Sequence, residues 1–597
     1  MTTTTNSAGA PPAPRPSGPP PGRVAHLAAA LAPHATVVRA AGGLLTLVGT
    51  LLPWATFVLN SGPYPDKATL QYFVAPFAVT GFRLQLLLFG IATLVLTFAP
   101  VPARGRVLRG FAWGIIGIAV VNGLYITVEG GGLGAITVAD GAVAFGAVVT
   151  LLGGVLVELG ARAGGVEPRP VWTWRFRPWV ERAMLVVVYV VLLLVVAATL
   201  TSGGTGGAAN PYAGAVFLSF LAALGGVFAA LHASGLLTWV GTVAERHQVF
   251  SAVTLLVVAL ALPLTSAGSE YWMTVAANIG VYAATAIGLN IVVGLAGLLD
   301  LGYVAFLGIG AFVAANLSGA AAAKFDVHVP FAIAMVISAV VAGMFGAIVG
   351  SPTLRVRGDY LAIVTLAFGE IFVRTAQNNI GGLTGGSNAI PNIPQVVLFG
   401  VRFSDRITIG GLQLPAGVLY YVLIVMLVAF VMLVFSHLKF SRLGRAWIAI
   451  REDEDAARAM GIRTGPVKIL AFLIGATIAG FAGAFFAHKT GTVSYESFRF
   501  LESVTLLAAV ILGGMGTVSG AVLGASVLFV LPEKLREFSE YRLLLFGIAL
   551  IVIMRFRPQG LIPDRHRRAE LAPDTLEEPP PGGIAGGTTG TRAEVPA

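Results

Sequence analysis

Few residues of this sequence have the type and spacing that catalysis requires. The chain contains no Cys, which excludes disulfides, thiolate metal sites and a cysteine nucleophile. No lysine follows a glycine, so the GxxxxGK[ST] loop that binds nucleotide phosphates is absent, and neither HExxH nor GxSxG occurs. The sequence therefore predicts a protein that is not an enzyme and that has no catalytic, metal-binding or cofactor-binding residue.

Ionisable residues within the apolar segments are scarce, although ion-coupled carriers use such residues to relay protons or sodium. Glu370 and Arg374 are the best candidates, because residues four apart share one face of a helix. They are either part of an ion relay or an ordinary intrahelical pair near the outer end of a span. The second interpretation is favoured.

One charged stretch, residues 439–468, carries more information. The part from 450 to 460 has no Gly or Pro and predicts a short helix, with Gly461 where a helix end favours a left-handed residue. Ala456 and Ala457 leave a low surface that could enter a groove on a partner. Acidic residues lie in the first turns, as the helix dipole favours: Glu452, Asp453, Glu454 and Asp455. The segment is either a solvated linker or a docking helix for a cytoplasmic protein.

The elements that must position these residues are membrane-spanning helices. Of 597 residues, 56% are hydrophobic and only 11% are charged, against roughly 25% charged in soluble domains. The mean hydropathy of +0.84 indicates that lipid is the solvent for most of the chain. The net charge of +10 therefore reports membrane topology and does not indicate nucleic-acid binding.

A bilayer core is crossed by about 20 apolar helical residues. The sequence predicts an all-α polytopic membrane protein with about 14 transmembrane helices and one re-entrant hairpin. The predicted apolar segments are 41–59, 83–99, 108–127, 136–159, 182–200, 213–236, 250–266, 272–293, 296–317, 331–350, 360–377, 416–436, 467–487, 503–531 and 542–556.

The distribution of basic residues sets the predicted direction of each span. Placing the Arg-rich loops in the cytoplasm makes alternate loops fit as far as residue 490, with both termini cytoplasmic. A single crossing at 503–531 would then put the basic stretch 555–568 outside. A hairpin that turns at the glycines of 513–516 restores the pattern, and one long tilted helix is the alternative.

Five stretches resemble the LivM-type branched-chain amino-acid permease of ABC importers. They are GLNIVVGLAGLLDLGYVAFLGIGAF (288–312), LRVRGDYLAIVTLAFGEI (354–371), LTGGSNAI (383–390), SRLGRAWIAIREDEDAARAMGI (441–462) and FRFLESVTLLAAVILGGMGTVSGAVLG (498–524), and MRFRPQGLIP (554–563) adds to them. Within 441–462, the Asp-Ala-Ala of 455–457 followed by Gly461 is similar to the ATPase-coupling loop of these permeases.

Composition and the resemblance together divide the chain into four parts. Residues 1–40 are expected to be a disordered Pro-rich cytoplasmic tail and 564–597 a second disordered tail. Residues 267–563 are the expected ABC permease domain. Residues 41–266, with about seven predicted helices, carry no such motif and are interpreted as an accessory membrane region.

The resemblance also implies a function and partners. It describes the membrane-spanning subunit of an ATP-driven importer that moves branched-chain or related amino acids across the bacterial plasma membrane. The implied partners are a LivH-type permease subunit, two cytoplasmic ABC ATPases that bind the ATP, and an extracytoplasmic substrate-binding protein. An ion-coupled carrier, a channel, or an ABC permease for urea or amides remains the alternative.

Polar and small residues in the permease region are candidates for the translocation path. The candidates are Asn290, Gly297, Tyr303, Thr365 and Glu370. Helix packing with internally satisfied polar groups is the alternative for each. The long loop 378–415 is expected to face the binding protein.

Overall fold

The computed structural model describes residues 30–56, 58–59, 62–63, 81–139, 142–165, 167–168, 170–202, 213–351, 360–398, 400–403, 405–409 and 412–534, and the short pieces 544, 547–548, 551, 555 and 560–562. Most of the two predicted tails, most of the last predicted span at 542–556, and the 354–359 part of the second family-like stretch lie outside these residues. The described chain is predominantly helical.

Most helices overlap the predicted apolar segments. In chain order they are α1 (Ala35–Leu51), α2 (Phe82–Phe98), α3 (Arg104–Glu129), α4 (Gly146–Ala163), α5 (Pro178–Thr201), α6 (Ala213–Ala233), α7 (Leu236–Arg246), α8 (Gln248–Leu260), α9 (Glu270–Asn290), α10 (Val304–Leu317), α11 (Phe331–Gly350), α12 (Tyr360–Gln377), α13 (Val418–Phe440), α14 (Arg442–Glu452), α15 (Glu454–Ala459), α16 (Thr464–Thr490), α17 (Phe500–Gly513) and α18 (Val518–Lys534). The helices α7 and α14 lie between the predicted apolar segments.

Short antiparallel hairpins interrupt the loops of this otherwise helical chain. The paired strands are β1 (Val58–Leu59) with β2 (Gly62–Pro63), β3 (Val138–Ala139) with β4 (Ala142–Val143), β5 (Val397–Leu398) with β6 (Val401–Arg402), and β7 (Ile407–Ile409) with β8 (Leu412–Leu414). The last two hairpins lie in the long predicted outer loop.

Nine helices among the described residues are long and apolar enough to cross a membrane. A tenth candidate is the pair α7 and α8, which is bent by 107° at a short break. Shorter apolar helices add α2, α10 and α17. The chain is therefore a multi-pass membrane protein, while the count of about 14 spans and the side of each terminus stay predictions.

The chain divides into two compact units. The first comprises Met1–Asn278, Val397–Ala429 and Val530–Leu544. Within it, α1 packs on α4, and α3 packs on α4 and α6. A buried cluster joins Leu200 and Leu262 to Trp272 and Tyr421. The cluster thus includes residues on both sides of the predicted division at 266/267, and that division as a functional boundary stays a prediction.

The second unit comprises Ile279–Val396, Phe430–Phe529 and Leu545–Ala597. Its centre is α16, against which α10 and α11 pack. The backbones approach closely there: a Cβ on Gly480 would lie 2.7 Å from the Ser338 oxygen and from the Ala342 Cβ. Apolar helices gain little from hydrophobic burial in lipid, so close contact at small residues must hold them together.

The predicted 503–531 segment is two helices, α17 and α18, and not one long helix. The break lies at Gly514 with φ 120°. A Cβ on Gly513 would collide with the Gly520 carbonyl, and one on Gly524 with the Ala509 carbonyl. These contacts pair the two helices antiparallel, which is the predicted hairpin turning at 513–516. Its re-entrant placement in a bilayer stays a prediction.

Some predicted elements were wrong in their extent. The segment 136–159 is helical only from Gly146, because the strands β3 and β4 precede that helix, and α1 ends at Leu51 instead of at residue 59. The segment 296–317 is helical only from Val304, because a π-helical turn at Ile291–Leu295 ends α9 and irregular backbone follows it. The single helix predicted over 450–461 is broken at Asp453, which has extended φ and ψ of −156° and 111° and caps α15. The carboxylate of Asp453 competes for the helix donors that follow it, and this ends α14.

The close approach at α16 predicts opposite effects for two glycine substitutions. Gly480→Ala should lower the free energy of unfolding by about 1–3 kcal/mol, because its methyl group meets backbone atoms of α11. Gly225→Ala, in α6 with open space around its Cβ, should be neutral or stabilising. Thermal unfolding of the two purified variants measures this, and equal destabilisation would contradict the packing described.

Candidate functional site

The candidate functional site is built around the π-helical turn Ile291–Leu295, here called the π-turn, which follows α9. Asn290, fully buried, precedes it. Its amide nitrogen donates to the Thr517 carbonyl at 2.8 Å, and its amide oxygen accepts from the Gly516 N–H at 2.8 Å. One side chain therefore satisfies two backbone groups in the turn of the α17–α18 hairpin.

A second side chain reaches the π-turn from α14. The Arg451 guanidinium donates to the Gly294 carbonyl at 2.8 Å. The stem of Arg451 covers Gly297, whose φ of +70° and lack of a Cβ let the two chains meet. Gly297 therefore contacts the predicted coupling region, and its role in the translocation path stays a prediction.

The coupling segment, residues 442–461, is fixed to the start of α16 by further contacts. The buried Trp447 donates its indole N–H to the Val467 carbonyl at 2.7 Å. Arg458 reaches the Thr464 hydroxyl at 3.4 Å. The coupling segment is therefore in direct contact with both α16 and the π-turn.

The short helix α15 has defined ends. The Asp453 carboxylate accepts from the N–H groups of Asp455 and Ala456, both at 2.9 Å. Gly461 has φ +86°, as predicted for a residue that ends a helix. Glu452 closes α14 and pairs with Arg451 at 2.7 Å. The four acidic residues therefore lie at the end of α14 and the start of α15, and not in the first turns of a single helix as predicted.

An ion pair locks α15 to α16. The Lys468 ammonium, which is almost fully buried, lies 2.5 Å from the Glu454 carboxylate. Burial alone would raise the pKa of the Glu454 carboxyl, but the hydrogen bond and charge of Lys468 outweigh it and hold that pKa below its usual range. Arg458 adds a weaker, more exposed contact at 3.1 Å.

The solvent-exposed face of α15 carries small side chains, and the exposed Met460 follows the helix. Ala456 and Ala459 are exposed, and Met460 is 84% exposed. Ala457, in contrast, is buried within the chain itself. Of the two alanines in the predicted coupling loop, only Ala456 is therefore available to a partner, and Ala459 and Met460 extend the same surface.

Two predicted path residues, Tyr303 and Thr365, form hydrogen bonds that hold the irregular backbone after the π-turn in place. The fully buried Tyr303 donates its hydroxyl to the Gly475 carbonyl at 2.6 Å. The Thr365 hydroxyl accepts from the Leu301 N–H at 3.0 Å and donates to the Ala362 carbonyl at 3.0 Å. These contacts fit the packing interpretation, and a role in the path stays a prediction.

Two buried polar residues of this region, Asp300 and Ser503, were not predicted from the sequence. Asp300 is 1% exposed and accepts from the Gly302 N–H at 2.9 Å, while its second oxygen has no hydrogen-bond partner among the described residues. Ser503 accepts from the Val304 N–H at 3.1 Å, at the start of α10. The signal for Asp300 was available, because it is a lone acid in an apolar run.

Glu370, a predicted path residue on α12, is exposed. It borders a small cavity with Ser503, and the apolar part of the wall is Leu301, Val304, Leu366, Phe498 and Phe500. The space admits about one water molecule. Arg374 donates to Gln377 at 3.1 Å, and no ion pair between it and Glu370 occurs in the described part of the chain.

Helices that are long enough to span a membrane, a broken helical hairpin and a charged segment between two such helices define a multi-pass membrane protein. A family model described as the permease component of the branched-chain amino acid transport system matches residues 271–554. No solved structure matches the chain.

Named relatives agree with the family model. LivM, a permease protein of the high-affinity branched-chain amino acid transport system of Salmonella typhimurium, is 43% identical over 324 residues, covering 52% of this chain and 74% of that protein. LivM of Escherichia coli K12 is 42% identical with the same coverage. LivH of Escherichia coli K12 is 26% identical over 294 residues, covering 47% of this chain and 91% of that protein.

The chain therefore belongs to the family of branched-chain amino acid transport permeases, and the resemblance to LivM is confirmed. As a member of this family it is a permease subunit of an amino-acid ABC importer. The matched residues begin with α9, so α1 to α8 lie outside the part that defines the family.

The contacts of Asn290 predict that Asn290→Leu loosens the α17–α18 hairpin. The leucine leaves the Thr517 carbonyl and the Gly516 N–H without their partner, at a cost of about 1–3 kcal/mol. A cysteine at Met515, within the turn, reports the change because the chain has no native Cys. This cysteine should be labelled faster in Asn290→Leu than in the chain that keeps Asn290. An unchanged rate would show that Asn290 does not hold the hairpin.

The Lys468–Glu454 pair predicts a dependence of stability on pH. Lys468→Met should lower the free energy of unfolding by about 1–3 kcal/mol near neutral pH, because a partly buried carboxylate loses its partner. The pKa of Glu454 is lowered in the folded chain, so its contribution is full above the ordinary glutamate range and disappears as the pH falls through the lowered value.

Denaturation of both proteins from about pH 8 down to about pH 3, an interval that includes the ordinary glutamate pKa of about 4.3, tests this pair. The difference between the wild-type chain and Lys468→Met should shrink as the pH falls. The exchanged double variant Glu454→Lys/Lys468→Glu serves as the control and should recover part of the lost stability. A difference that is the same at every pH would show that the charge of Glu454 contributes nothing.

Proposed function

We propose that the chain is the LivM-type permease subunit of an ATP-driven importer that takes up leucine, isoleucine, valine or a related amphipathic amino acid. In this proposal it lies in the bacterial plasma membrane beside a LivH-type permease subunit. Two cytoplasmic ATPases bind ATP on its behalf, and an extracytoplasmic binding protein delivers the substrate. The relatives, which are branched-chain amino acid transport permeases, support the substrate class.

The observation that carries the proposal is the construction of the coupling segment. Its helix α15 presents Ala456, Ala459 and Met460 outward, while Trp447, Arg451 and Lys468 tie its inner side to the rest of the unit. A solvated linker has no need of such ties. A segment that transmits force from the ATPases to the spans does need such contacts, because it must move as a rigid element.

The direction of transmission follows from the contacts. A force applied to α15 passes through Glu454 and Lys468 to α16. It passes through Arg451 to the π-turn, and from Asn290 to the turn of the hairpin. Closure of the ATPases would therefore be converted into a rigid displacement of the elements that surround the candidate path.

A charge on the outer face of α15 is predicted to uncouple transport. Ala459→Glu should lower ATP-dependent leucine uptake at least tenfold, because a bulky anion enters a contact that favours small side chains. Ala322→Glu, which makes the same change at an exposed residue between α10 and α11, is the matched control and should keep uptake within about twofold of wild type.

The readouts are uptake by vesicles containing the complete importer and co-purification of the ATPases with the permease. Ala457→Glu is unsuitable for this test, because Ala457 is buried and the charge would disturb this chain itself. Full uptake by Ala459→Glu would refute the coupling role. Uptake that needs an ion gradient and no ATP would favour an ion-coupled carrier, and uptake of urea or amides in place of leucine would change the substrate.

A further inference from the structure

The region outside the family match contains an aromatic segment just before α5. In residues 170–177, here called the aromatic strip, every second residue from Trp172 is aromatic. The rings of Trp172 and Trp174 have centroids 4.2 Å apart, and those of Trp174 and Phe176 are 6.3 Å apart. Contacts between residues two apart are those of an extended segment, whose side chains alternate between two faces. The intervening Arg175 and Arg177 therefore belong to the opposite face.

The aromatic strip is fixed to α7 and the turn before it. The Trp172 indole N–H donates to the Ser234 carbonyl at 2.6 Å, and the Trp239 indole N–H donates to the Trp174 carbonyl at 3.1 Å. The Trp239 ring also lies 6.0 Å from the Phe176 ring. These contacts hold the backbone in place, so the arginines of the strip are presented on a preorganised surface.

The other face of the strip is cationic. Arg175, Arg177 and Arg182 are exposed, and among the described residues no carboxylate forms an ion pair with Arg175 or Arg177. Two indole side chains close to these arginines in the chain are exposed as well: Trp179 is 67% exposed, and Trp174, on the aromatic face of the strip, is 48% exposed. A segment that exposes both arginine charges and indole rings matches a ligand that is anionic at one end and apolar at the other.

The position in the chain identifies that ligand. Pro178 begins α5, a helix of mean hydropathy 3.0 in its spanning window, of which only 17% is buried within the chain. Residues immediately before such a helix lie at the depth of the lipid headgroups, where Trp rings anchor and arginines attract acidic lipids. We propose that the aromatic strip, with Arg182, is a binding site for the headgroup of an anionic phospholipid.

Titration of the purified full-length chain in neutral detergent with phosphatidylglycerol tests the proposal, with phosphatidylcholine as the uncharged reference and native mass spectrometry as the readout. The wild-type chain should retain phosphatidylglycerol preferentially. Arg175→Gln/Arg177→Gln should weaken that binding about 30-fold, since each arginine near an anionic headgroup contributes about a fivefold gain in affinity. Phosphatidylcholine binding should be unchanged.

The matched control is Arg402→Gln/Arg406→Gln, which removes two exposed arginines elsewhere in the same unit and should change binding less than twofold. Arg175→Lys/Arg177→Lys keeps the charge and should retain most of the affinity, which separates lost charge from a disturbed fold. Equal weakening in both Gln pairs, or no preference for phosphatidylglycerol in the wild-type chain, would overturn the site. If Arg175→Gln/Arg177→Gln binds phosphatidylglycerol normally but no longer retains a partner subunit, the surface binds a protein instead of a lipid. That result would also overturn the proposed lipid site.

Discussion

Irregular backbone within an apolar chain must have its polar groups satisfied by the protein, because lipid offers no hydrogen bonds. The second unit depends on this constraint. After α9 the helix widens into the π-turn and then unravels as far as Val304. Side chains satisfy its main-chain groups: Asp300 within the stretch, and Thr365, Ser503 and Arg451 from elsewhere in the unit, each bind a main-chain group in or next to it.

The same constraint explains how a transport signal would travel. A polar side chain that satisfies a distant backbone group also fixes its position, since breaking the bond leaves a buried group without a partner. Arg451 is therefore both a structural partner of Gly294 and the connection between α14 and the π-turn. Asn290 connects the π-turn to the glycine turn of the hairpin in the same way. In the proposed mechanism, the atoms that satisfy the backbone would also transmit the motion.

The sequence alone predicted the features that depend on local pattern. Hydropathy located nearly every described helix, and the glycines of 513–516 predicted the hairpin. Gly461 was correctly expected to have a left-handed backbone. The break at Asp453 was not predicted, because the prediction relied on helix propensity and ignored that an aspartate within an acidic run can cap a new helix. The path residues were named from their type, but their partners lie far along the chain, as Asn290 and Gly516 do, and no local pattern predicts such pairs.

The helices outside the family match are held together by the same means as those within it. A Cβ on Gly42 would lie 2.8 Å from the Gly153 carbonyl, which repeats in α1 and α4 the close approach at Gly480. The nearly fully buried Arg39 donates to the Gly160 carbonyl at 2.7 Å, so a charge that is costly in lipid joins two helices. Apolar α5, in contrast, exposes most of its surface. Because lipid satisfies such a helix as well as protein does, its position has to be fixed from its ends, and the interfacial aromatic and basic residues at its start are suited to that task.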